Sequence, residues 1–338
     1  MLKIYDMKSP HSFAIPAIKM VMFLLLLQGI TINISSAQTS ADFETDSITT
    51  HTLLASSFIN DDEGWIADDA GNLWHTDNAG QSWSPIATQK IFIKLDFTDV
   101  QRGYGITTDA AYKTVDGGNT WSALNLPGNV GSAICFFDNS TGIVSGKEVI
   151  YKTTDDGATW QTVSTGGVSF VDYYFLNAST GIAAAFDEDS YQCIWRTTDG
   201  GQNWSNVYKE ENYFITSVWF TDENNGWAAG YYTRQGKGKL PIINHSKDGG
   251  LTWKNVYINL HPGDLKGQAL IDIRFRNALE GIALATYSEN VITSDGGATW
   301  HLTYDDEDLI PSYGIYKLLD SFNEIYLAGK NGYVTRWK

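Results

Sequence analysis

A chain of 338 residues with a net charge of −16 is too acidic to grip a nucleic-acid backbone, which needs a basic face. Aromatic residues make up 13% and charged residues only 18%, a balance that suits a β-rich globular protein and excludes a disordered one.

The first element in chain order reads as an export signal. Lys8 and Lys19 precede the apolar run MVMFLLLLQGITI, and SSAQ supplies small residues before a cut between Ala37 and Gln38. Gln28 and Gly29 interrupt the run, which favours a cleaved signal over a spanning helix, and no cysteine follows it to carry a lipid. The expectation is a signal peptide over 1–37, one domain over 38–338 and a periplasmic or secreted mature protein with no stable membrane span.

From there the chain is seven repeats of about 40 residues. Six begin with an apolar alternation ending in Phe, at positions 58, 97, 136, 175, 220 and 275, each followed six residues later by Gly. A nonapeptide then closes the unit: HTDNAGQSW, KTVDGGNTW, KTTDDGATW, RTTDGGQNW, HSKDGGLTW and ITSDGGATW. A seventh unit, from Tyr316 to Trp337, sets Leu318 in the Phe place and Glu324 in the Gly place. Period-two patterning bounded by turn residues predicts four strands per unit: one ending at the Phe, one starting at the Gly, one before the nonapeptide and one after its Trp. Four antiparallel strands repeated at this period predict an all-β, seven-bladed β-propeller. The last unit stops after its third strand, so Thr45–Thr50 is expected to supply the fourth and close the ring. Cys135 and Cys193 fall at different strand positions of neighbouring units, and both are expected to be free, buried thiols.

The pattern S/T-x-D-x-G-x-T/S-W resembles the Asp-box, or bacterial neuraminidase repeat, and the wider unit resembles propellers related to photosystem II assembly and stability factors. That resemblance implies the propeller fold and an assembly role. The box also occurs in sialidases and larger glycoside hydrolases, so it says little about activity. Within it, Asn78, Asp116, Asp155, Asp199, Asp248 and Asp295 are expected to accept backbone N–H groups in a tight turn, with each box Trp as an apolar plug beneath. A catalytic carboxylate is needed once or twice, not six times round a ring, so these residues read as structural. The acidic runs YDDEDL (304–309) and DEDS (187–190) lack the spacing of a calcium loop and read as solvated loops, and no metal or cofactor is expected.

Length varies on one side only. Phe to Gly is six residues wherever both occur, whereas Gly to box Trp grows from 18 or 19 residues to 23 and 27 in the fourth and fifth units. The added loops lie opposite the boxes, where a rigid scaffold carries its binding residues. They bring Tyr191, Tyr231, Tyr232, Arg234, Lys237, Lys239, His261 and Lys266 to the candidate binding face. The expected partner is another envelope or extracellular protein, or a glycan. The alternative is a glycoside hydrolase, sialidase-like or built on two carboxylates. Asp172 and Asp272, each three residues before a repeat Phe, are its candidate pair. Only six arginines exist for a sialidase-type carboxylate clamp, and the expectation is a non-enzymatic binding scaffold.

Overall fold

The computed structural model describes residues 43–186, 192–234, 238–256, 268–286, 290–302, 315–320, 325–329 and 333–337. The expected signal peptide and both acidic runs lie outside them. The described residues form seven four-stranded antiparallel sheets, so the fold is an all-β propeller of four-stranded blades. The first sheet runs Leu53–Phe58, Gly64–Asp68, Asn72–Thr76 and Ser84–Ala87, and the next five repeat this order from inside outwards. The inner strand of each sheet contacts that of the next, and Leu53–Phe58 in turn meets Ile315–Asp320 of the last sheet.

The repeat Phe and Gly are cross-strand partners: Phe58 opposite Gly64, Phe97 opposite Gly103, Phe220 opposite Gly226. The ring of Phe58 lies over its partner so closely that a Cβ on Gly64 would collide with it, and the same overlap recurs at the five later pairs. Each Phe then meets the box Trp of its own sheet edge-on, at 5.7–6.5 Å between centroids. The residue after the Gly reaches the other way, onto the next sheet's Phe: Trp65 stacks on Phe97 at 3.8 Å and Trp227 on Phe275 at 4.9 Å. One aromatic thus fastens its own sheet while the adjacent position fastens its neighbour, and burial of these rings builds the core. The turn between first and second strands is tied by an Asp or Asn two residues after the Phe, as where Asp99 Oδ1 accepts the Gln101 and Arg102 N–H groups at 2.7 and 2.8 Å.

The last sheet departs from the sequence reading. Leu318 pairs with Leu327, and the strands meet at the turn as Asp320 opposite Ile325, so Leu318 does not take the Phe place. The register shift between Ile315 and Lys317, matched to those of the other sheets, assigns that place to Asp320, across a turn one residue shorter. Its outer strand is Phe43–Ser47, paired with Tyr333–Trp337. An N-terminal strand completes the sheet as expected, but about two residues earlier than Thr45–Thr50. Ser47 Oγ donates to Thr49 O at 3.0 Å, turning the chain, and Ile48 packs with Leu53, Ile66 and Val334. Of the two free thiols only Cys193 is buried. Cys135 is half-buried, because it sits on an inner strand between buried Ile134 and Phe136, whose side chains take the opposite face.

Candidate functional site

The Asp-box is built alike in the six sheets that carry it. In the second, Thr114 Oγ1 donates to Asp116 Oδ1 at 2.8 Å and accepts the Gly118 N–H at 2.9 Å. Asp116 also takes the Thr120 N–H at 2.8 Å and its hydroxyl at 2.6 Å. The carboxylate therefore accepts a backbone N–H in the turn as expected, from four residues ahead. These bonds to the charged form outweigh partial burial and hold the box carboxyls below their ordinary pKa, Asp199 at about 2. The box also reaches between sheets, which sequence reasoning missed. Trp65 Nε1 donates to Gly117 O at 3.1 Å, Lys152 Nζ to Gly200 O at 2.8 Å and Arg196 Nε to Gly249 O at 2.9 Å. In each case the donor belongs to the preceding sheet. The residue just before the box Thr supplies most of these latches, and KT, KT and RT were legible there.

At the opposite end of the fifth sheet stands the long hairpin Gly226–Arg234 and Gly238–Ser246, with nine residues per strand against three to six elsewhere in that position. The insertion read from the sequence is thus an extension of two paired strands. Tyr231 stacks on Phe214 at 4.7 Å, with Lys239 Nζ 4.5 Å from the Tyr231 ring centre. Tyr232 stacks on Tyr213 at 5.5 Å. Tyr231 and Tyr232 are successive strand residues and point to opposite sides of the sheet. Arg234 ends the first hairpin strand. Tyr191, Lys237, His261 and Lys266 lie outside the described residues.

Between the inner strands lies a cavity of about 240 Å³, lined by Lys94, Val171, Asp172, Thr216, Ser217, Ile271, Asp272 and Arg274. Both carboxylates singled out in the sequence are on its wall. Their placement follows from β-bulges: the pairing slips between Phe170 and Asp172, between Ile215 and Ser217, and between Leu270 and Asp272. A bulge adds one unpaired residue and re-aims its neighbours. Here the extra residues, Val171, Thr216 and Ile271, line the cavity beside the polar residue that follows each. The inner strands Lys94–Phe97 and Ile134–Phe136 pair without a slip.

Neither carboxylate stands alone. Lys94 Nζ is 2.9 Å from Asp172 Oδ1, joining the second sheet to the fourth across the place of the third, where the equivalent residue is Ala133. Arg274 Nη1 is 2.6 Å from Asp272 Oδ1 and 3.1 Å from Ser217 Oγ, and its guanidinium lies 5.0 Å from the Trp219 ring centre. Burial raises the Asp172 carboxyl, but the Lys94 and Arg274 charges and the bonds from Lys94 and Val218 outweigh it, and the group ionises below its ordinary value. Burial likewise works against the Lys94 ammonium, and the Asp172 charge overcomes it, so the lysine stays charged. A glycosidase acid needs the reverse shift, to keep its proton at neutral pH. Among the described residues no group of three metal-ligating side chains occurs.

The search of curated proteins returns no match. The family model described as Photosynthesis system II assembly factor YCF48 matches residues 85–210. Among solved structures, YCF48 bound to D1 peptide is 21% identical with a TM-score of 0.66, over 89% of this chain and 98% of that one. YCF48 from Cyanidioschyzon merolae is 16% identical with a TM-score of 0.67, over 87% and 98%. A GH74 xyloglucanase from Xanthomonas campestris is 12% identical with a TM-score of 0.64, over 86% of this chain and 53% of its own. The chain thus resembles the assembly-factor propellers, as its repeats implied. At these identities the likeness to the solved structures shows the fold, and the chain spans about half the length of the xyloglucanase.

Proposed function

We propose that this chain is an exported, non-enzymatic seven-bladed propeller that binds a segment of another protein, acting as an assembly-factor-like scaffold in the envelope or outside the cell. On this reading residues 1–37 are a cleaved signal and 38–338 one domain. The observation that carries it is the fifth-sheet hairpin. It doubles the usual strand length on the face opposite the boxes and presents the Phe214–Tyr231 stack with Lys239 over it. A rigid aromatic pair beside a cation, on a chain that is otherwise strongly acidic, is suited to an acidic or aromatic partner segment. The YCF48 structure bound to a D1 peptide shows a related fold holding a peptide and supports the reading. The test is capture from envelope extracts by wild type and by a variant with Arg234, Lys237 and Lys239 changed to Ala. A partner lost by the variant supports the hairpin face, a partner retained sinks it, and a glycan array run alongside separates protein from sugar. N-terminal sequencing of the mature chain tests export.

Asp172 and Asp272 on one cavity wall favour a second reading, a glycoside hydrolase, to which the GH74 fold likeness adds support. Hydrolysis lost in Asp172→Asn or Asp272→Asn would replace the scaffold reading. Closure of the ring by Phe43–Ser47 is tested by deleting 38–47. With one strand and its edge protection gone, the melting temperature is expected to fall by about 10 °C, several kcal/mol at roughly 2–4 °C each. An unchanged melting temperature would refute closure.

A further inference from the structure

The balance of charge in the cavity narrows what can enter it. Among the described residues lining it, Lys94 and Arg274 face Asp172 and Asp272, two cations against two anions, within about 240 Å³. This is below the roughly 300–1,000 Å³ of drug-sized sites, so the occupant is small. An added anion or cation would leave one charge unmatched in a site where Asp172 and Asp272 are each 11% exposed, and an unmatched buried charge is costly. A wholly apolar guest would strip water from four charged groups and return nothing to them.

The two ion pairs differ in how far they are satisfied. Arg274 Nη1 is held by Asp272, Ser217 Oγ and Ile273 O, and the guanidinium lies over the Trp219 ring. The Lys94–Asp172 pair is looser. Of the three ammonium N–H donors, one has an acceptor among the described residues, Asp172 Oδ1 at 2.9 Å. Asp172 Oδ2 receives the Val218 N–H at the long distance of 3.4 Å. Donor capacity on Lys94 and acceptor capacity on Asp172 Oδ2 therefore adjoin on the same cavity wall, with Val171 and Ile271 as apolar lining beside them.

We propose that this cavity binds a small zwitterion of the free amino acid class, its carboxylate taken by Lys94 and its ammonium by Asp172 Oδ2, with Val171 and Ile271 against a short aliphatic side chain. A zwitterion alone brings a negative and a positive group while adding no net charge, and both contacts are charge-assisted. The site is separate from the hairpin and does not depend on a protein partner, so failure of the envelope capture leaves it standing.

Ligand-observed NMR and calorimetry on the purified chain test it with alanine as the probe, glycolate as the carboxylate lacking an ammonium, and ethanolamine as the reverse. The expected result is binding of alanine, with glycolate and ethanolamine at least tenfold weaker. Lys94→Met is expected to weaken alanine at least tenfold. Ile271→Phe, which fills the cavity and leaves both ion pairs in place, is expected to do the same while melting like wild type; Lys239→Ala on the hairpin is expected to change nothing. Absence of alanine binding overturns the proposal, as does glycolate binding as tightly as alanine, or alanine binding retained in Ile271→Phe.

Discussion

Two junctions of the propeller start from the same ring-on-Phe stack and differ in what surrounds it. Between the second and third sheets the fastening adds polar bonds to a stack of Tyr104 on Phe136 at 3.3 Å: Tyr104 Oη donates to Asp156 Oδ1 at 2.6 Å, and Arg102 and Lys113 each reach Asp156 Oδ2 at 3.0 Å. Between the fifth and sixth it is aromatic. Trp227 stacks on His245 at 3.8 Å and on Phe275 at 4.9 Å, and meets Trp300 edge-on. The difference is one of reserve. At the polar junction Asp156 is satisfied on both oxygens, whereas at the aromatic one His245 Nε2 and Trp300 Nε1 are buried without a hydrogen-bond partner. His245 occupies the latch position that Lys152 and Arg196 fill elsewhere, yet stacking has replaced the bond. Burial supplies strength at such a site, and unpaired nitrogens leave it sensitive to conditions.

The largest effect should come from breaking the aromatic junction. Trp227 is 2% exposed, and Trp227→Ala is expected to cost about 3–5 kcal/mol in chemical denaturation. Asp156→Ala at the polar junction is expected to cost about 1–3 kcal/mol, since Arg102 and Lys113 can turn to solvent while the buried Tyr104 hydroxyl loses its acceptor. Equal losses would mean that the junctions are not distinguished by burial.

That contrast also marks where the sequence could be read. Phe97, Gly103 and the box around Asp116 declared strands, turns and the constant face, because each is a local demand: a ring over a missing side chain, a carboxylate bonding four residues ahead. Asp172 and Asp272 could be placed on the inner wall by counting back from Phe175 and Phe275. Lys94 answers to the same count from Phe97, but its pairing with Asp172 spans 78 residues and two sheets, a closeness set by ring geometry and by bulges that no local pattern announces. Leu318 was misplaced for a related reason. Without a Phe or Gly to anchor it, the last unit's register is fixed only by pairing.

Acid should separate the junctions next. Burial, and then the charge of Lys247, push the His245 imidazole down to about 4 against the opposing pull of Asp222. The unfolded chain takes up this proton near pH 6.5, and the folded chain not until about pH 4. Folding stability from this group is therefore fully present above about pH 6.5 and declines as the pH falls toward 4. His245→Phe keeps a ring on Trp227 and has no proton to gain, so its denaturation midpoint should fall less steeply than that of wild type across this interval. Parallel slopes would remove His245 as the source.

The smallest effect is the most discriminating, because it sets equal backbone strain against unequal bonding. The middle position of the turn is left-handed in all six boxes, and glycine fills it in four of them; Ala79 holds it at φ 56° and Asp156 at φ 60°. A left-handed L-residue costs roughly 1–2 kcal/mol, of which glycine's greater freedom in the unfolded chain returns about half. Ala79→Gly should therefore stabilise the protein by about 0.5–1 kcal/mol, as its methyl group makes no latch. Asp156→Gly relieves the same strain but removes the carboxylate that Tyr104, Arg102 and Lys113 share, leaving Lys113 only the backbone carbonyl, and it should destabilise. Opposite signs at two equivalent turn positions, measured by urea denaturation, would show that Asp156 is kept in a strained conformation for its grip on the preceding sheet; matching signs would reduce that grip to a surface contact.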